Sequence, residues 1–98
     1  MRNEQAIQRY LLRELNKIGW FTNTQAGVAV SRGTPDIMGV INGRFYGYEV
    51  KADKGKKATA IQAYVGEKIQ EAGGQWCVVS GLQAARELVE ALRKEAQE

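Results

Sequence analysis

The dipeptide Asn42-Gly43 constrains the fold of this chain more than any other feature of its sequence. It separates two strand-like runs, 37–41 and 44–51, which are rich in β-branched and aromatic residues. Asn-Gly favours the tight primed turn that joins two antiparallel strands, so we predict a β-hairpin with a two-residue loop. Such a loop fixes the register, because the pair that flanks it sets every later pair.

This register brings two acidic residues together. Extending the pairing by one residue beyond the first strand puts Asp36 directly opposite Glu49, and Lys51 shares their face because side chains alternate along a strand. Two carboxylates at that separation, about 5 Å between Cβ atoms, repel each other unless a cation lies between them. Removing either one is therefore expected to stabilise the metal-free protein. Since Mg²⁺ is often held by one or two carboxylates and a substrate phosphate, the three residues predict a site for phosphodiester hydrolysis.

Helical periodicity predicts a first helix that starts at Glu4 and ends at Gly19. Asn3 can cap its first turn, and glycine commonly terminates a helix. A short strand at 20–22 follows. Residues 23–33 are polar and glycine-containing enough to form a loop or an irregular continuation of this strand. The apolar stretch 28–30 fits either interpretation. The apolar face of the helix consists of Ile7, Leu11, Leu15 and Ile18.

Two more helices and a strand are predicted after the hairpin. Thr59 and Gln62 have the spacing of a capping box, so a second helix begins there and ends before Gly73-Gly74. A strand at 75–79 and a last helix after Gly81 complete the order αβββαβα. The helical crossover makes the final strand parallel to a neighbour, which predicts an α/β fold with a mixed sheet flanked by helices. The predicted buried residues of this half are Ile61, Val65, Ile69, Ala72, Leu82, Ala85, Leu88, Val89 and Leu92, with Tyr64 and Trp76 also in the core.

Length and composition indicate a folded, single-domain protein and exclude several kinds of catalysis. With 98 residues, 44% of them hydrophobic, the chain is expected to form a single domain, 1–98, and not a disordered segment. It has no run long enough to span a bilayer, and Cys77 lies in an apolar run and has no second cysteine to pair with, so a cytosolic location is predicted. The absence of histidine excludes Ser-His-Asp and Cys-His catalysis and disfavours zinc chemistry.

Basic residues surround the predicted site. Four lysines fall between positions 51 and 57, opposed there only by Asp53, within a net charge of +3. Such a stretch would be an ordinary solvated loop if it stood alone. Because it follows the acidic pair directly, we predict that it contacts phosphates, which Lys and Arg bind with salt-dependent and largely sequence-independent affinity. The residues predicted to contact phosphate are Ser31, Arg32, Lys54, Lys56 and Lys57.

Two segments carry a resemblance to a known family. Gly33-Thr34-Pro35-Asp36 followed by Glu49-Val50-Lys51 resembles the PD-(D/E)xK nuclease signature, and nearly the whole chain resembles the virus-type replication-repair nuclease (VRR-NUC) domain. The resemblance implies a restriction-endonuclease-like αβββαβ core with an extra C-terminal helix, and an endonuclease that uses Mg²⁺ or Mn²⁺. Its implied catalytic residues are Asp36, Glu49, Lys51, Gln62 and Glu4, and its implied metal ligands are Asp36, Glu49, the Val50 backbone carbonyl and Glu4.

Two of these residues also have structural explanations. The helix macrodipole favours Glu4 in a first turn, and the capping box accounts for Gln62. Small stand-alone domains of this kind resemble phage and bacterial proteins, which implies a homodimer that acts on branched DNA such as four-way (Holliday) junctions in the cytoplasm of a bacterial cell or phage-infected host. No membrane and no organic cofactor are implied. A non-cleaving nucleic-acid-binding module of the same fold remains the alternative, as does a protein-interaction domain whose basic loop is incidental.

Overall fold

The structure is a computed structural model that describes residues 3–24 and 31–97. The predicted order αβββαβα is confirmed, while the ambiguous stretch 28–30 lies outside the described residues. In the described ranges, no helix has both the length and the apolar character needed to cross a membrane. The elements are α1 (Glu4–Leu15), β1 (Trp20–Asn23), β2 (Ile37–Ile41), β3 (Arg44–Lys51), α2 (Ala60–Glu71), β4 (Gln75–Ser80) and α3 (Leu82–Ala96).

The four strands form one mixed sheet in the order β1-β2-β3-β4. β1, β2 and β3 pair antiparallel, and β4 pairs parallel to β3 after the α2 crossover, as predicted. Asn42 and Gly43 both have positive φ, 50° and 82°, which is the backbone of the primed turn. The hairpin register runs from Ile41 opposite Arg44 to Ile37 opposite Tyr48, so the predicted pairing is confirmed.

The two faces of the sheet differ in what covers them. Along β3, Tyr46, Tyr48 and Val50 point into the main core beneath α1 and α3. Gly47 and Glu49 alternate with them and face the side covered by α2. The main core contains Ile7, Leu11, Leu15, Phe21, Ile37, Ile41, Tyr46, Tyr48, Val50, Val79, Ala85, Val89 and Leu92.

A buried carboxylate joins α1 to α3. Glu14 accepts hydrogen bonds from Arg13 and Lys17 of its own helical region and from Arg93 of α3. The Arg13 and Lys17 hydrogen bonds hold the pKa of Glu14 below its ordinary value, which outweighs the opposing effect of burial. This ion-pair group fixes α1 alongside α3 with both N-termini at the same end of the sheet.

The contact between α2 and the sheet corrects part of the prediction. Gly66 is the residue of α2 that is buried. It packs so closely against the Trp76 ring that a Cβ at this position would lie 2.2 Å from a ring atom. The side of α2 that faces the sheet is therefore centred on Gly66. Ile61, the first residue of the predicted apolar face, is 41% exposed. Ala72, at the other end, is exposed as well, and Tyr64, predicted in the core, is 57% exposed. The spacing of apolar residues could not predict which side of α2 is buried, because the residue at the centre of that side is a glycine.

Candidate functional site

Asp36 lies directly before β2 and accepts hydrogen bonds at both its backbone and its side chain. Its carbonyl accepts from the Thr24 backbone N–H at 3.0 Å, and the Thr24 hydroxyl donates to the Pro35 carbonyl at 2.7 Å. Its side-chain Oδ2 accepts from the Val50 backbone N–H at 2.8 Å. The carboxylate is therefore anchored against the last residues of β3, one position beyond the regular pairing of the hairpin.

The residues before Asp36 are packed beneath the start of α2. Gly33 has φ of 84°, and a Cβ there would lie 2.7 Å from the Ile61 carbonyl oxygen and 2.8 Å from Val65 Cγ2. Only glycine satisfies both the backbone conformation and this close approach. Pro35 is buried against Gly47 of β3. The Gly-Thr-Pro-Asp segment thus has a structural reason, since it holds the acidic residue rigidly between α2 and the sheet.

Glu49 is the most unusual residue in the structure. Its side chain is 0% exposed, and neither carboxylate oxygen has a hydrogen-bond partner among the described residues. Burial, which is the largest cause, and the negative charge of Asp36 together raise the pKa of Glu49 to about 7, against the smaller lowering effect of the nearby Lys51. The Trp76 indole also lowers this pKa, although its N–H does not reach hydrogen-bond geometry. A buried, unpaired carboxylate beside a second one is the environment that a bound cation would stabilise.

The Glu49 pKa predicts how the stability of the metal-free protein depends on pH. A carboxyl group that titrates at 4.5 when unfolded and about 7 when folded favours the folded state below pH 4.5 and loses that contribution as the pH rises to about 7. Glu49→Gln removes the titration and keeps the shape. We expect the variant to match the wild type near pH 4 and to be more stable near pH 8, by on the order of 3 kcal/mol.

Urea unfolding in EDTA at several pH values measures this difference. Glu71→Gln, a change at an exposed carboxylate of α2, controls for the loss of one negative charge and should show no such trend. A Glu49→Gln stability difference that stays constant from pH 5 to pH 8 would contradict the buried, unpaired state of this carboxyl group.

Lys51 and Gln62 form the second part of the site. The Lys51 ammonium donates to Gln62 Oε1 at 3.0 Å. The same oxygen accepts from the Thr59 backbone N–H at 2.9 Å, which completes the predicted capping box of α2. The helix cap therefore orients the glutamine oxygen toward the ammonium. A residue that the sequence explains as a cap also positions the lysine at the end of β3.

Glu4 lies at the same end of the molecule, but no described contact joins it to the two central acids. It is exposed in the first turn of α1, one turn before Gln8, whose Oε1 accepts from Asn23 at 2.7 Å. Asn23 pairs with Ile37, the residue after Asp36. In residues 3–24 and 31–97, no group of three or more His, Cys, Asp or Glu side chains is arranged to hold a metal. The role of Glu4 as a ligand stays a prediction.

The predicted phosphate-binding residues lie on exposed loops. Lys54, Lys56 and Lys57 are all exposed, and the Ser80 hydroxyl fixes their loop by donating to the Lys56 carbonyl at 2.6 Å. This contact holds the lysine loop at the end of β4, beside Lys51. Phosphate binding by these lysines, and by the exposed Ser31 and Arg32, stays a prediction.

Trp76 is the neighbour of the site that sequence reasoning missed. It was expected in the core, and the structure places its indole beneath α2 next to Glu49. The parallel register, with Gly47 opposite Trp76 and Glu49 opposite Val78, creates this neighbourhood. No local pattern in the sequence indicates how β4 aligns with β3, so this contact could not be predicted.

The chain is similar to a known protein in structure but not detectably in sequence. No protein-family model and no curated protein matches the sequence. A solved structure described as "VRR_NUC domain" is similar to this chain with a TM-score of 0.74 and 22% sequence identity, over 92% of this chain and 97% of the other. At this identity the similarity establishes a shared fold, and it confirms the fold predicted from the sequence resemblance.

Proposed function

We propose, with the fold of the VRR_NUC domain as the premise, that this chain is a metal-dependent endonuclease that cleaves DNA. The observation that carries the proposal is the Glu49 carboxylate, which is fully buried, has no described hydrogen-bond partner and lies within the field of Asp36. Burying an unpaired charge is costly, so a fold that retains it needs a compensating cation or a function that uses the carboxylate. A metal site satisfies both requirements.

The donor set suits a hard cation such as Mg²⁺ or Mn²⁺. Asp36 and Glu49 supply carboxylate oxygens, and the Val50 carbonyl and Glu4 are proposed to complete the set. When bound, the metal polarises the phosphoryl oxygen and makes a bound water more acidic. The residues of the chain would bind that metal, while substrate phosphate supplies further oxygen ligands.

Lys51 is proposed to act on the phosphate itself. Its ammonium is a compact positive charge that Gln62 holds at 3.0 Å, at the same strand end as Glu49. A charge held in place before the reaction stabilises the negative charge that develops on the phosphoryl oxygens without reorganisation. Gln62 is then a positioning residue, since its oxygen contacts the lysine.

The substrate is proposed to be branched DNA, and the active form a homodimer. The exposed lysines beside the site give a sequence-independent affinity for phosphates, which suits recognition of DNA shape. Cutting two strands symmetrically requires two active sites, and the described residues form one. Two copies related by a two-fold axis would supply the second.

A substrate panel tests the proposal. The protein is incubated with labelled four-way junction, flapped, nicked and plain duplex DNA in Mg²⁺, Mn²⁺ or EDTA. We expect nicks in both metals, none in EDTA, and faster cleavage of the junction than of the duplex. Analytical ultracentrifugation in the same buffer, with and without junction DNA, is expected to detect the dimer.

Two results would contradict the proposal in different ways. DNA binding without cleavage in any metal would support a non-cleaving binding module of the same fold. Neither cleavage nor salt-dependent DNA binding would indicate a protein-interaction domain whose basic loop is incidental.

A further inference from the structure

A second basic surface lies between α1 and α3, on the face of the sheet opposite α2. The helix α1 and the first turns of α3 enclose a cleft of about 320 Å³, which we name the arginine cleft. Its lining contains three arginines and no acidic residue. The lining residues are Ala6, Arg9, Tyr10, Arg13, Leu82 and Arg86.

The three arginines differ in their existing partners. Arg13 donates through Nε to Glu14 at 3.1 Å and lies over the Tyr10 ring, 5.6 Å from its centroid. Within residues 3–24 and 31–97, neither Arg9 nor Arg86 forms an ion pair within 4.0 Å. Two guanidinium groups that have no ion-pair partner within 4.0 Å among the described residues therefore line one concave surface. Each carries planar donors that match the oxygens of a phosphate, so an anion there would remove their mutual repulsion.

The arginine cleft connects to the proposed active site around the start of α3. The Gly81 N–H donates to the Lys51 carbonyl at 2.9 Å, and Leu82, the next residue, lines the cleft. Arg86 follows one helical turn later, about 6 Å along the axis. A neighbouring cleft of about 450 Å³ contains Leu82 together with Lys54, and Glu87 is its one acidic residue. Lys54 and Arg86 thus line two neighbouring clefts that share Leu82 at the start of α3.

We infer that the arginine cleft binds a backbone phosphate of DNA that lies outside the cleaved linkage. The inference rests on the proposed DNA substrate but not on cleavage. Duplex DNA presents closely spaced phosphates along its length, so a strand bound at Lys51 can reach a cationic surface a few nucleotides away. This contact would extend the bound DNA from the end of β3 toward the side of the sheet opposite α2. It would contribute to affinity and orientation, and it would leave the chemistry to Asp36, Glu49 and Lys51.

The double variant Arg9→Gln/Arg86→Gln tests the inference. The matched control, Arg44→Gln/Lys94→Gln, removes two exposed positive charges at the other ends of β3 and α3. Fluorescence anisotropy with labelled junction and duplex DNA in EDTA gives Kd over a range of KCl concentrations. We expect the cleft variant to bind about ten-fold more weakly, with a salt slope reduced by about 1 to 2, and the control to stay near wild type.

The outcomes separate this inference from the proposed function. The Kd measured in EDTA tests the cleft alone, whereas cleavage by the wild type in Mg²⁺ tests the proposed function. A wild-type Kd and salt slope in the cleft variant would overturn the inference even if the protein cleaves DNA. An equal loss in the control would also overturn it, since net charge alone would then explain the effect. If no variant cleaves but the cleft variant loses affinity, the inference stands and the proposed nuclease activity fails.

Inorganic phosphate distinguishes a free-anion site from a DNA contact. For a DNA contact, phosphate and chloride at equal ionic strength should weaken wild-type DNA binding to a similar extent. If phosphate binds to the wild type but not to the cleft variant, and both proteins have the same Kd for DNA, the cleft is a free-anion site and the inference is wrong.

Discussion

Glu49→Gln and Asp36→Asn are each expected to abolish metal-dependent DNA cleavage, by at least about 10³-fold, while the protein stays folded. Both changes remove one negative charge from the proposed metal site and keep the size of the side chain. Glutamine at position 49 removes an unpaired buried charge, and asparagine at position 36 retains an oxygen that can accept from the Val50 N–H. Loss of activity can therefore be separated from loss of structure.

Cleavage rates in Mg²⁺ and unfolding curves in EDTA provide the two measurements. Asp53→Asn is the matched control, because it removes an exposed negative charge from the loop directly after Lys51 and should leave cleavage intact. Wild-type cleavage by both site variants would remove the assignment of Asp36 and Glu49 as metal ligands, whatever the fold.

The structure changes what should be expected of the alanine variants. From the sequence alone, removing either carboxylate was expected to stabilise the metal-free protein by relieving repulsion. At Glu49, whose oxygens have no described partner, the expectation applies to Glu49→Gln, because alanine would leave a cavity at this fully buried position. Asp36→Ala, however, also leaves the Val50 N–H without its acceptor, which costs about 1–3 kcal/mol when the donor is buried. Asp36→Ala is therefore expected to be less stable than Asp36→Asn.

Lys51→Ala is expected to reduce turnover by about 10²-fold or more and to leave metal affinity nearly unchanged. The ammonium is not a metal ligand, and its proposed contribution is to stabilise charge on the reacting phosphate. Gln62→Ala should produce a smaller loss, about ten-fold, because the ammonium remains but is no longer held by the Gln62 oxygen. Single-turnover rates at saturating protein and calorimetric Mn²⁺ titrations measure the two properties.

Thr59→Ala separates positioning of the lysine from capping of the helix. It removes the Thr59 hydroxyl that caps Gln62 N–H, at a cost of about 1 kcal/mol, but it leaves the Thr59 N–H and Lys51 bonds to the Gln62 oxygen. Thr59→Ala should therefore lose stability and keep its turnover, whereas Gln62→Ala should lose both, with KM nearly unchanged. Equal turnover losses in the two variants would mean that Gln62 acts only as a cap.

Local sequence determined the hairpin and, through it, the position of the acidic pair. Asn42-Gly43 fixes the loop length and positive φ angles, so the register that points Tyr48 into the core and Glu49 to the other face follows directly. The α2 cap was predictable for the same reason, because its two residues are three positions apart. These features depend on interactions between residues close in the chain.

Only the tertiary structure decided what surrounds those residues. The burial of Glu49 beneath α2 depends on Gly66 meeting Trp76, and the arginine cleft depends on α1 lying beside α3. Both contacts join segments far apart in sequence, whose alignment is set by packing of whole elements. Periodicity identifies an apolar face but not its exact partner, which is why Tyr64 was wrongly predicted in the core. The sequence by itself thus determined the strand register that brings Asp36 near Glu49. The packing of the helices determined that the Glu49 carboxylate is buried and that the arginine cleft forms.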